Sequence, residues 1–171
     1  MSLLVPQRKI LGYGRYSGKI IRAGEVIDEW IDDPNLVVNQ GLDSLLNVYF
    51  MGATQISSWY VGCYEGNYTP VAGDTAATFP ASSTETTAYV ASTRPGYTGV
   101  TSTAELMTNA ASPASFTFNA TKTIYGAFLT SLNTKSGTTG TLFSAAKFGS
   151  SKSVTSGDQL LLTYSFSAAS A

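Results

Sequence analysis

The chain of 171 residues contains no histidine and one cysteine, Cys63. Without histidine there is no imidazole to act as a general base near neutral pH. That excludes Ser-His-Asp triads and most zinc or iron sites. A lone cysteine cannot form an intrachain disulfide, so the chain does not read as a stapled secreted domain. Charge is also scarce: charged residues make up 12% of the chain, against a usual share of about 25%. The net charge of -1 leaves no global field to draw in phosphate or anionic lipid. Nucleic acid and membrane are therefore not expected partners. No apolar run approaches the ~20 residues a spanning helix needs. The opening MSLLVPQRKILGYG does not read as a signal peptide. The expectation is a protein made in a cytoplasm that stays soluble or joins an assembly there.

What fills the space left by charge is Ser and Thr, about a quarter of the chain, where no such dominance is usual. Threonine's branched Cβ suits a pleated strand. Hydrophobic residues at 43% allow an ordinary core, and the length fits one domain. Five bases, Arg8, Lys9, Arg15, Lys19 and Arg22, precede any acid. Five acids follow without a base among them: Glu25, Asp28, Glu29, Asp32 and Asp33. This order predicts a hairpin over residues 16–31, turning at Ala23-Gly24, with opposite charges paired across it. A two-residue loop sets Arg22 opposite Glu25 and Lys19 opposite Asp28. A three-residue loop sets Tyr16 opposite Trp30. Residues 1–15 read as an extended N-terminal arm and 16–171 as a single domain.

Asp33-Pro34-Asn35 signals a turn. Asn39 then serves as a candidate N-cap for a helix over 39–51. Leu42, Leu45, Leu46 and Tyr49 fall at i, i+3, i+4 and i+7, a one-face stripe expected to be core. Gly52 suits the left-handed position that ends such a helix. Ser57 to Tyr64 alternates, with apolar bulk on both faces, and reads as a central strand. Asn67 to Thr84 reads as a long surface loop, a feature associated with function or partner binding. Further strands are expected at 85–90, within 98–108, and at 115–119, 123–131, 142–148 and 159–166. In the 123–131 strand Ile124 and Phe128 are set on one face, and Tyr125, Ala127 and Leu129 on the other. In the last strand Leu160, Leu162, Tyr164 and Phe166 point inward. Many short strands with turns between them predict an all-β protein, a β-sandwich or jelly-roll-like fold with one short helix.

No constellation carries chemistry. Asp28, Glu29, Asp32 and Asp33 lack the order and the bidentate Glu of a calcium loop, and alternation sends them to different faces. Eleven acids always permit a carboxylate pair, but none sits in a recognisable glycosidase setting. Gly12-Tyr13-Gly14 lacks the third glycine of a dinucleotide loop. Arg8, Lys9 and Arg15 with Tyr13 and Tyr16 resemble an aromatic-basic nucleic-acid patch, but the acidic run that follows argues against it. Tyr64, Tyr68, Tyr89 and Tyr97 border the long loops and are candidates for contact with a partner or a glycan. The expectation is no catalytic residue, no metal and no cofactor.

Four ordered stretches resemble small virion structural proteins of tailed bacteriophages, of the capsid decoration or cement type. They are Asn35-Leu-Val-x-Asn-x-Gly-Leu42 running on to Trp59-Tyr-Val-Gly62; Ala88-Tyr89 with Thr93-Arg94-Pro95-x-Tyr97; Thr130 to Leu142 around Lys135-x-Gly-Thr-Thr-Gly140; and Ser156-Gly-Asp-Gln-Leu160. The resemblance implies a non-enzymatic protein on the virion's capsid surface. It would bind the major capsid protein as a dimer or trimer and bridge neighbouring subunits. In that setting Leu3, Leu4, Val5, Ile10 and Leu11 are the expected apolar anchors of the arm, with Arg8 and Lys9 pairing with acidic capsid surface. The alternative is a tail or tail-fibre component with a glycan-binding sandwich.

Overall fold

A computed structural model describes residues 10–100, 102 and 104–170. These form β1 (Ile10–Arg22), β2 (Glu25–Pro34), β3 (Leu36–Val37), α1 (Asn39–Phe50), β4 (Tyr60–Tyr64), α2 (Phe79–Ser82), β5 (Leu106–Thr108), β6 (Ala114–Thr117), β7 (Lys122–Thr130), β8 (Leu142–Val154) and β9 (Gln159–Ser170). The strands make a five-stranded sheet in the order β2-β1-β9-β5, with β6 also on β9, and a four-stranded sheet in the order β3-β8-β7-β4. The protein is an all-β sandwich with one sizeable helix. The first and last strands pair along almost their whole length, from Ile10↔Ser170 to Ile21↔Gln159.

The hairpin has the two-residue loop. Ala23 and Gly24 both take positive φ, 49° and 88°, as a type I′ turn requires to match the twist of its strands. Arg22 faces Glu25 as expected, but a bulge at Ile20/Ile21 moves Lys19 opposite Glu29, and Tyr16 stands opposite Asp33. The hairpin is also longer than expected. Strand β1 begins at Ile10, so residues 10–15 are not an arm but half of the β1–β9 ladder. Arm residues Leu3, Leu4, Val5, Arg8 and Lys9 lie outside the described residues.

Between the sheets, Tyr16, Ile20, Val61, Cys63, Phe116, Phe118, Leu160, Leu162 and Tyr164 form one buried core. Each buried aliphatic or aromatic side chain there contributes roughly 1.5–3 kcal/mol. The inward alternation of β9 holds: Leu160, Leu162 and Tyr164 are fully buried and Phe166 packs against the core. In β7 a register shift between Ile124 and Gly126 overturns the expected faces. Ile124 joins Ala127 and Leu129 in the inter-sheet core, while Phe128 lies on the outer face with Tyr125 beside it. Across this shift the single residue Tyr125 of β7 spans four of β8, residues 148–151, and such an irregularity changes which face the following side chains take.

That outer face carries a second core of Val38, Tyr64, Ala76, Phe79, Phe128, Leu142 and Ala145. The 67–84 stretch is its cover and not a free surface loop: α2 places Phe79 edge-on to Tyr64 and Phe128, at 5.6 and 5.2 Å. Strand β4 is two-faced because of this cover, yet it lies at the edge of its sheet. Its open side is closed by loop backbone, through Val61 N–H to Pro95 O at 2.9 Å and Thr86 N–H to Cys63 O at 3.0 Å. Residues 85–90 therefore supply isolated bridges, Tyr64↔Glu85 and Tyr89↔Phe118, where a strand was expected.

Candidate functional site

Of the tyrosines proposed as contact residues, two are removed from any surface. Tyr64 and Tyr89 are 0% and 2% exposed, and burial pushes both phenols well above their ordinary value. Tyr64 donates its hydroxyl to Ala146 O at 2.9 Å. Tyr68 and Tyr97 are half-buried. Tyr68 donates to Asp74 Oδ1 at 2.8 Å, which ties the 67–84 cover to itself. Tyr97 stacks edge-on with Tyr164, its phenol pushed up to about 12 by desolvation. Of the arm anchors, Ile10 and Leu11 belong to β1, opposite Ser170 and Ala169.

The residues that carried the family resemblance turn out to staple the fold. Asn35 Oδ1 accepts from Gly14 N–H at 2.8 Å, and its amide donates to Tyr164 Oη at 3.0 Å. The second and third stretches meet. Arg94 forms a two-point pair with Glu85 at 2.8 and 2.6 Å, both side chains 1% exposed, and donates to Leu132 O at 2.8 Å. Lys135 lies 3.7 Å over the Tyr89 ring and donates to Thr87 O and Tyr89 O. In the fourth stretch Asp158 accepts twice from Arg22, at 2.8 and 2.7 Å, and from Thr155 N–H at 2.7 Å. The bond from Arg22 leads in holding the Asp158 carboxyl down to about 2. Among the described residues no group of three or more His, Cys, Asp or Glu is placed to hold a metal. The acids of β2 go separate ways, Asp28 to Lys152 at 3.2 Å and Asp33 to Gly149 N–H at 3.0 Å.

The surface that stands out is on α1. Its cap is Val38, with no side-chain bond, and Asn39 is already helical. The N-terminal turn is fixed instead by Gln40, whose Oε1 accepts from Ala76 N–H and Leu142 N–H at 2.9 and 2.8 Å. Gly41 is buried where a Cβ would run into the Phe143 backbone. The helix ends as expected, with Gly52 at φ 70° and Ala53 N–H closing back on Asn47 O.

Its apolar stripe, however, is not core. Leu42, Leu45, Leu46 and Tyr49 are 45%, 44%, 49% and 80% exposed, and Phe50 and Met51 follow at 70% and 76%. The face turned to the sheets is the adjacent one, Gly41, Ser44, Leu45 and Val48, at the same i, i+3, i+4, i+7 spacing. The small residues there let the N-terminal turn approach closely. Farther along, Leu45, Val48 and Tyr49 roof a cavity of about 490 Å³ at one end of the sandwich, floored by Trp59, Phe143 and Phe166. The helix thus carries apolar surface on two sides: one over the cavity, the other toward solvent.

Fold and surface together define an all-β sandwich with an apolar helix face that is exposed among the described residues and an apolar cavity at one end. The chain matches no protein-family model and no curated protein sequence. None of the helices among the described residues is long and apolar enough to cross a membrane.

Proposed function

We propose that this protein is a structural component of a tailed-phage virion that docks on the capsid exterior, binds the major capsid protein and stabilises the shell by bridging neighbouring subunits. The observation that carries the docking role is the outward face of α1. Leu42, Leu46, Tyr49, Phe50 and Met51 are all exposed on one short helix and the residue after it. Soluble proteins seldom leave contiguous large apolar side chains unpaired unless another surface covers them. Aromatic residues and Met are also enriched in interface cores. The scarcity of charge fits a surface destined for dense packing. The ordered motif resemblance supplies the virion setting.

The mechanism is additive burial. Each copy needs a contact of ordinary size, roughly 1,200–2,000 Å². A dimer or trimer that touches several capsid subunits multiplies that gain without any tight single contact. The loop tyrosines were contact candidates for a capsid partner and for a glycan alike, and with Tyr64 and Tyr89 buried both readings lose those two residues.

The test is co-sedimentation with capsid shells. Combined Tyr49→Ser, Phe50→Ser and Met51→Ser substitutions are expected to abolish binding while leaving the thermal midpoint within about 2 °C, since exposed positions contribute little to stability. Undiminished decoration by the triple variant rejects the helix as docking surface. A handful of copies per particle, in place of hundreds, rejects the capsid assignment.

A further inference from the structure

We propose that the cavity at the end of the sandwich binds a small organic cation, an ammonium head carried on an apolar body. The site lies on the inner side of α1, apart from the outward face on which the capsid reading rests.

Three observations converge on that ligand. The first is size. The volume of about 490 Å³ falls within the ~300–1,000 Å³ of ordinary ligand sites. At about 30 Å³ for each non-hydrogen atom, the share of a water molecule in its liquid, it has room for roughly 16 of them. The floor belongs to paired strands, with Leu129 on β7, Phe143 on β8, and Phe166 and Ala168 on β9. Such a site is formed before its ligand arrives. The second is the kind of wall. Trp59, Phe143 and Phe166 follow one another at 5.6 and 5.4 Å, with their planes crossed at 67° and 77°. Rings crossed so steeply offer both edges and faces to the space they share. The electron-rich face of an aromatic ring attracts a cation, most strongly where water is excluded. Tyr49 adds a fourth ring from the roof.

The third is charge. Among the described residues Glu105 is the one charged group that lines the cavity, with no Lys or Arg beside it. An acid without a base favours a cation. It disfavours a carboxylate or phosphate, whose charge would be taken from water without a partner. Glu105 is exposed, which sets it at the rim, and its backbone is fixed there. It takes φ 52°, in the left-handed region, and its carbonyl accepts from Ala168 N–H at 3.0 Å. A residue other than glycine keeps that conformation only where the surrounding structure imposes it. Strand β9 thus holds the acid over the aromatic floor.

The experiment is calorimetric titration of the full chain with octyltrimethylammonium, kept below its micellar range. Its size, about a dozen non-hydrogen atoms, suits the volume. 1-Octanol and octanoate are the neutral and anionic comparisons. The expected result is one site per chain, with the cation about tenfold tighter than the alcohol, as a desolvated cation–π contact gives, and octanoate weakest. Val48→Trp fills the cavity from the roof and is expected to abolish binding. Ala168→Leu fills it from β9 and repeats the test if the helix does not tolerate tryptophan. Glu105→Gln is expected to weaken the cation alone, by about two- to fivefold. Leu46→Ser with Phe50→Ser, on the outward face of α1, is expected to change nothing. No saturable binding of the cation overturns the proposal. So do equal affinity for all three compounds, binding that survives a filled cavity, and binding lost with Leu46 and Phe50. Flotation with phosphatidylcholine vesicles separates a lipid headgroup from a free cation, and association with vesicles without binding of the soluble cation also overturns it.

Discussion

Arg94→Met tests most directly whether the loops over β4 are held by charge or by packing. Arg94 and Glu85 face each other at 2.6 Å with both side chains 1% exposed. The guanidinium also donates to Leu132 O, and Glu85 accepts from Ser136 N–H at 2.9 Å. Removing the arginine leaves a carboxylate buried without its cation and frees a carbonyl. Breaking such a pair from one side costs about 3–5 kcal/mol. A domain of this kind has roughly 5–15 kcal/mol in all, so the variant should sit near the edge of folding at 37 °C. With a urea slope of about 2 kcal/mol per molar, the midpoint is expected to fall by about 1.5–2.5 M. Glu85→Leu combined with Arg94→Met removes both charges, and its cost should be well below the sum of the two single changes, by about 1–3 kcal/mol. A shift under about 0.5 M for Arg94→Met, or strict additivity in the double variant, refutes the reasoning. It would mean that the Phe79 and Phe128 packing alone retains these loops.

Other consequences are simpler to measure. Asp158 has its folded-state carboxyl held down to about 2 from an ordinary 3.8, so its stabilisation is present above about pH 4 and disappears as pH falls toward 2. The stability difference between the native chain and Asp158→Asn, read from urea midpoints, should be full at pH 6 and vanish near pH 2. Gly41→Ala drives a methyl into the Phe143 backbone and should cost about 1–3 kcal/mol, seen as a drop of several degrees in thermal midpoint; an unchanged midpoint contradicts the close approach. Cys63 is buried and its thiol is pushed well up by desolvation. It should react with an aromatic disulfide reagent only as fast as the protein unfolds, and rapid labelling of native protein would exclude that burial.

The β-sandwich class was legible because strand signals are local: alternation in 159–166, the Ala23-Gly24 turn and the Gly157 turn, at φ 92°, each declare themselves within a few residues. The helix limits were legible for the same reason, with Gly52 ending α1 as expected. Legibility failed where a neighbour distant in sequence decided. The leucine stripe of α1 has the spacing of a core face, yet Gly41 fits so closely against Phe143 that the helix is seated on the adjacent face. The two-faced β4 read as a central strand because sequence reports that both faces are covered, not what covers them. The register shift between β7 and β8 reversed the expected faces, because the extra residues that cause it lie on β8 and leave no mark in the sequence of β7. The exposed apolar face of α1 was missed altogether. Its signal was present as Tyr49-Phe50-Met51, three large apolar residues in a row at a helix end, where a one-sided helix needs only one or two.

By itself the sequence determined the all-β class, the hairpin turn, the limits of α1, the inward face of β9 and the absence of histidine. These follow from side-chain inventory and from backbone preferences that act over a few residues. Only the tertiary structure decided that the resemblance motifs are staples, that Tyr64 and Tyr89 are interior, and that residues 10–15 complete the β1–β9 ladder. It alone turned the apolar side of α1 outward and left a cavity beneath its C-terminal half. The physical reason is the same in each case. Burial depends on which surfaces meet, and the pairs that decided it here, Gly41 with Phe143, Arg94 with Leu132 and Gly12 with Ala168, are far apart along the chain.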